Sequence, residues 1–154
     1  MDGREIYQQM ILDHNRKPKN YGKLENPTHQ IEGLNPLCGD HIWVYINVDE
    51  NKKIEKITFD CKGCAISKAS ASMMTVSLKG KTIEEAQEIF GEFTTLLKGS
   101  SPEEHKLGPL KIFSNIWQYP SRVKCAALAW HAMSGALKEK EKVSTEAEEE
   151  KVDA

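Results

Sequence analysis

The chain has no run approaching the ~20 apolar residues that a membrane span needs, so no span is expected. It has no N-terminal apolar run between basic and small residues, so no signal peptide is expected, and the expected location is the cytoplasm. It has no clustered basic stripe. The formal net charge is −2, and a near-neutral body argues against a dedicated nucleic-acid surface. No internal repeat is visible, and no G-x-S-x-G elbow accompanies Ser67, Ser70 and Ser72. Those serines are read as a small, polar-tolerant helix face packed close to a site. Cysteine is scarce. There are four, Cys38, Cys61, Cys64 and Cys125. In a cytosolic chain four cysteines point to metal or thiol chemistry rather than a disulfide framework, or to small buried hydrophobes.

What is present fits one soluble globular domain: 154 residues, 39% hydrophobic and 29% charged. The charge is uneven. Residues 139–154 carry three Lys and seven Asp or Glu, a net of −4, which leaves +2 on residues 1–138. The tail cannot bury enough apolar area to offset the entropy of ordering, so it is expected to be disordered and residues 1–138 to form the domain.

Ile6, Tyr7, Met10, Ile11 and His14 recur at helical spacing over 4–17, and Pro18 ends that helix. His14 is expected to close the last turn or pack under the following loop. Residues 29–33 read as a short strand. Ile42, Val44, Ile46 and Val48 alternate with polar and aromatic residues over 41–48, and 53–61 alternates likewise. Three strands on short links predict an antiparallel meander with one face to be covered. Helices are expected over 65–79, stopped by Gly80, and from the Thr82…Glu85 capping box to about Lys98. Leu110, Phe113, Ile116 and Trp117 form an apolar cluster read as core. Pro120 suits the first position of a last helix ending near Leu137. The fold class is α+β, a three-stranded antiparallel sheet with helices packed on one face and a disordered acidic C-terminal tail.

Three short pieces carry chemistry: Asn35-Pro36-Leu37-Cys38-Gly39-Asp40, Cys61-Lys62-Gly63-Cys64 and Arg122-Val123-Lys124-Cys125. Cys38 and Asp40 leave an extended chain on the same side, and Gly39 permits a bend between them. Cys64 stands at a helix N-terminus, where unpaired N–H groups favour thiolate. Cys125 has Arg122 and Lys124 as neighbours, whose charge is expected to favour thiolate too. Three thiolates and a carboxylate suit tetrahedral Zn²⁺ or a thiolate-held iron–sulfur cluster. Spacing alone does not establish the site: 61 positions separate Cys64 from Cys125, and taken alone a cysteine on an alanine-rich helix face is favoured as a packing residue. Cys61 shares a strand face with Ile57 and Phe59 and is read as a buried apolar residue rather than half of a redox CxxC. His41 points away from Asp40 and is expected at solvent. His131 lies about 120° around its helix from Cys125 and is not expected to be a ligand. Nor are His29 and His105.

At these residues the chain resembles the IscU/NifU-N family of iron–sulfur assembly proteins, most closely its SufU-type branch. The likeness spans most of 5–137. It runs through Leu12-Asp13-His14, Pro18-Lys19-Asn20-Tyr21-Gly22 and Asn35 to Asp40. It continues with Gly63-Cys64-Ala65-Ile66-Ser67, Ala69-Ser70-Ala71-Ser72-Met73-Met74 and Arg122-Val123-Lys124-Cys125-Ala126. Lys124 stands where the IscU type carries His, residues 99–119 look like the extra stretch of the SufU type, and no Leu-Pro-Pro-Val-Lys motif precedes Cys125. Cys61 departs from the pattern.

The resemblance implies metal ligation by Cys38, Asp40, Cys64 and Cys125. It also implies a cysteine desulfurase (SufS/IscS-like) as partner, and sulfur acceptance by Cys38 after its displacement from a resting Zn²⁺. Arg122 would support the site or pair with that partner. In the IscU branch the same pocket holds iron or a 2Fe–2S cluster for transfer to an apo-acceptor. A zinc-stabilised interaction module without thiol chemistry is the third reading.

Overall fold

The computed structural model of the chain describes residues 3–100, 106–139 and 142–145. The elements run α1 (Gly3–Arg16), β1 (His29–Asn35), β2 (Asp40–Val48), β3 (Ile54–Lys62), α2 (Ala65–Leu78), α3 (Ile83–Leu97), α4 (Pro120–Leu137) and β4 (Lys142–Ser144). Two 3-10 turns, Gly108–Phe113 and Ile116–Gln118, precede α4. The expected antiparallel meander is there. β1 pairs with β2 from His29 opposite Ile46 to Asn35 opposite Asp40, and β2 pairs with β3 through Val44 opposite Phe59.

Alternation decides which face is covered. Ile31 on β1, Ile42, Val44 and Ile46 on β2, and Ile57, Phe59 and Cys61 on β3 are all buried under the helices. The opposite face carries Glu32, His41 and Trp43; His41 pairs with Glu32 and stacks on the Trp43 ring at 3.9 Å. His41 therefore points away from Asp40, as expected.

Small residues let the helices come close. A β-carbon on Gly33 would meet Ile42 Cγ2 at 2.9 Å, Leu128 Cδ1 at 3.3 Å and the Ala132 β-carbon at 3.4 Å, so α4 lies directly on β1 and β2. α2 is fixed to α4 by serine. Ser70 donates to the Ala126 carbonyl at 2.6 Å and accepts the Trp130 indole N–H at 3.2 Å. α1 is tied to α2 at Ser72, whose hydroxyl oxygen accepts the Lys19 N–H and sits 2.7 Å from His14 Nδ1. His14 thus packs against α2 rather than joining a site. The Thr82–Glu85 capping box starts α3 with two reciprocal 3.0 Å bonds.

Two expectations change. Leu110, Phe113 and Ile116 are core, but Trp117 is 50% exposed. Its ring lies against Gly99, where a β-carbon would come within 3.2 Å. A 3-10 turn presents neighbouring side chains to different sides, so one run of apolar residues cannot all face inward.

The tail differs as well. Residues 142–144, expected within the disordered segment, pair in parallel with Glu32, Gly33 and Leu34 as β4. The sheet thus gains a fourth member, in the order β3-β2-β1-β4. Composition measures apolar area, whereas this strand is held by the unpaired backbone groups along the β1 edge. His105 and residues 146–154 lie outside the described residues. Among the described residues no helix is long and apolar enough to cross a membrane.

Candidate metal centre

The hairpin between β1 and β2 places the first two donors. Cys38 N–H donates to the Asn35 carbonyl at 3.3 Å, and Gly39 turns the chain at φ +73°. Cys38 is exposed at the turn, while Asp40, at the first position of β2, is 1% exposed. Cys64 follows β3 as the N-cap of α2, and its sulfur accepts the Ser67 N–H at 3.4 Å. Cys125, buried early in α4, is held beside α2 by the Ser67 hydroxyl, which donates to its carbonyl at 3.2 Å.

These placements bring distant residues to one point. Donor atoms of Cys38, Asp40 and Cys125 all lie within 4.8 Å of one another. Cys64 stands at the side of that group, its sulfur 3.9 Å from Asp40 Oδ2, close enough to the Cys125 thiol for the two to influence each other's ionisation. Tetrahedral Zn²⁺ with bonds of ~2.3 Å would place neighbouring sulfurs ~3.8 Å apart. Cys38, Asp40 and Cys125 therefore need to close by about an ångström or less, and Cys64 must move in from the side of the group. The carboxylate fits the same reading. Asp40 Oδ1 accepts the Cys64 N–H at 2.8 Å and Oδ2 accepts from the Asn35 amide at 3.2 Å. No Lys, Arg or His forms an ion pair with it among the described residues. A buried carboxylate beside thiols, with no ion pair among the described residues, is a donor set that suits a metal cation.

Protons are unevenly shared. The bond from the Cys125 thiol, followed by the Ser67 N–H and hydroxyl, pulls the Cys64 thiol down to about 6 against burial and the Asp40 charge. The helix start thus favours thiolate at Cys64, as expected. Cys125 moves the other way: the same bond, burial and the Asp40 carboxylate push its thiol up. The expected help from basic neighbours is not what governs it. Arg122 is exposed and lies over the Tyr119 ring at 4.6 Å. It makes no hydrogen bond or ion pair with the thiols or Asp40. Its charge acts on Tyr7, whose buried hydroxyl has no hydrogen-bond partner among the described residues. Burial chiefly raises the Tyr7 pKa; Arg122 opposes this, and Cys64 and Cys125 add to it.

Cys61 is 6% exposed opposite Ile42, and burial first, then Asp40 and Cys64, push its thiol up to about 12. It is a buried apolar residue, as expected. His131 packs edge-on against Phe90, away from the site. Asn35 is the residue that sequence reasoning passed over. It is fully buried, and its amide donates to Asp40 and, at 3.7 Å, to the Cys125 sulfur. The available signal was an amide five residues before the aspartate across a tight hairpin.

An α+β domain in which a buried aspartate meets two cysteines, with a third cysteine beside them, is the class that this fold and site define. The NifU-like N-terminal domain model matches residues 6–126, and the chain belongs to that family. It is 38% identical over 136 residues to the zinc-dependent sulfurtransferase SufU of Bacillus subtilis, covering 87% of this chain and 91% of that protein. It is 37% identical over 134 residues to the iron–sulfur cluster assembly scaffold protein IscU of Streptococcus pyogenes, covering 86% and 83%. A crystal structure from Fervidobacterium islandicum, assigned as an iron–sulfur cluster assembly scaffold of the SUF system, superposes with a TM-score of 0.80. That protein shares 37% identity, over 87% of this chain and 98% of the other.

Proposed function

We propose that this chain accepts persulfide sulfur from a cysteine desulfurase at Cys38, within a zinc site formed by Cys38, Asp40, Cys64 and Cys125, and passes it into iron–sulfur cluster assembly. One contrast carries the reading: Cys38 is exposed while Asp40 and Cys125, in the same cluster, are buried. A partner can reach one sulfur without opening the domain. Bound zinc would keep the thiols deprotonated yet guarded until the partner docks. Cys38 thiolate then attacks the outer sulfur of the partner's persulfide. The S–S bond breaks, the partner's cysteine leaves as thiolate, and Cys38 carries the persulfide. Asp40, the one oxygen donor, makes the set easier to open than four sulfurs. Arg122, exposed beside the site, pairs with the partner.

The names of the IscU relatives support a second reading, in which the same four residues hold a 2Fe–2S cluster for transfer to an apo-acceptor or a downstream scaffold. Two measurements separate the readings. Cys38→Ala is expected to abolish stimulation of a desulfurase; normal stimulation in that variant refutes sulfur acceptance. Anaerobic reconstitution that yields a stable, transferable cluster favours the scaffold. Tightly retained zinc with no transfer argues against it.

A further inference from the structure

The boundary expected at residue 138 does not separate the tail from the site. β4 lies along the β1 edge, and the next residue, Thr145, donates its N–H to the Leu34 carbonyl at 2.9 Å. Its side chain is buried, and its hydroxyl donates to Asn35 Oδ1 at 3.1 Å. Asn35 in turn donates through Nδ2 to Asp40 Oδ2 at 3.2 Å and to Cys125 Sγ at 3.7 Å. A carboxylate only accepts, so the amide must present its nitrogen to Asp40 and its oxygen to the other side. The one donor meeting that oxygen among the described residues is Thr145.

We infer that Thr145 is a positioning residue for the metal centre: the C-terminal segment, seated as β4, orients the Asn35 amide and through it holds Asp40 and Cys125 in register. The inference rests on the ligand reading given above, and it assigns to the tail a task that composition denied it. Two residues of the site are set through one amide, so loss of the Thr145 donor frees that amide to rotate. Asp40 then keeps the Cys64 N–H but loses a fixed second donor. The segment is also the least anchored strand of the sheet, three residues long and paired on one side. A partner that lifts it would loosen the centre without touching a ligand.

The test compares Thr145→Val with Thr145→Ser in the full chain. Valine keeps the shape and loses the O–H, whereas serine keeps the O–H and loses the methyl. We expect Thr145→Val to release Zn²⁺ to a chromophoric chelator roughly five- to tenfold faster than the wild type, the loss of about one hydrogen bond. Thr145→Ser is expected to stay near the wild type. A packing role predicts the reverse order, and that order overturns the inference. The metal-free chain gives a second readout. The Asn35 side-chain NH₂ resonances are expected to shift and exchange faster in Thr145→Val only; unchanged resonances also overturn it. If the wild type retains no zinc, the ligand reading fails, and the Asn35 resonances still decide the role of Thr145.

Discussion

A β-carbon on Gly63 would lie 2.3 Å from Asp40 Oδ1 and 3.0 Å from the Asp40 α-carbon. Two stretches of chain therefore touch backbone to backbone at the centre, and the contact lets the Cys64 N–H reach the carboxylate. Gly63→Ala must push Asp40 or the start of α2 away. We expect a loss of about 1–3 kcal/mol in denaturant unfolding, the usual cost of overpacking a tight contact. We also expect weaker zinc retention in chelator competition. Wild-type values for both would show that the contact relaxes without disturbing Asp40.

Asp40 should cost stability in the metal-free chain and contribute it in the loaded one. It is buried, has no ion-pair partner among the described residues, and faces a Cys64 thiol whose pKa is lowered. Asp40→Asn keeps an acceptor for the Cys64 N–H and removes the like charge. Its new NH₂ meets the Asn35 NH₂, so the Asn35 amide must turn to offer its oxygen, and the expected gain is the charge relief net of that rearrangement. The metal-free variant is expected to be more stable than the wild type by about 1 kcal/mol. Added zinc should raise its Tm by less than it raises that of the wild type, since stabilisation by a ligand follows its affinity for the native state. Calorimetry with and without a chelator checks both halves. A metal-free Asp40→Asn chain weaker than the wild type would contradict the charge argument.

Ser70 is a fully buried hydroxyl with two partners, the Ala126 carbonyl and the Trp130 indole N–H. The carbonyl belongs to a helix and has a further use; among the described residues the indole N–H has no other partner. Ser70→Ala leaves that donor unpaired in the core, with an expected cost of about 1–3 kcal/mol. The near-ultraviolet signal of Trp130 should change with it. Cys38 provides the contrast. It is exposed, so Cys38→Ala is expected to stay within about 0.5 kcal/mol of the wild type in the metal-free chain.

Much of this was legible in the residues, for definable reasons. Strand alternation at Ile42, Val44 and Ile46 and the Thr82–Glu85 box are local signals, and the structure repeats them. The donor cluster was legible only through the order of its motifs. Nothing in a 61-residue separation says that Cys64 and Cys125 stand side by side. That follows from Ser67 and Ser70 drawing α2 onto α4. The Cys125 thiol is pushed up rather than down because Arg122 turns to Tyr119, whereas Cys125 faces Asp40 and Cys64. β4 was hidden for another reason. A short strand owes its place to the edge it covers, and its own composition carries no trace of that edge.

Cys61 and Cys38 should separate cleanly by reactivity and pH. Burial pushes the Cys61 thiol from 9.0 up to about 12, so the folded chain holds this proton where the unfolded chain releases it. The stabilisation is complete below pH 9 and is lost as the pH rises from about 9 toward 12, with a slope of at most ~1.4 kcal/mol per pH unit. Cys61→Ala is expected to remove that part of the slope, at some cost in packing that does not depend on pH. At pH 8 an alkylating reagent should label Cys38 in the metal-free folded chain and leave Cys61 untouched until denaturant is added, because the thiolate is the reactive form. Mass spectrometry of the labelled peptides reads this directly. Early labelling of Cys61 in a chain that remains folded would mean that β3 opens locally, and that its sulfur is within reach of the sulfur chemistry beside it.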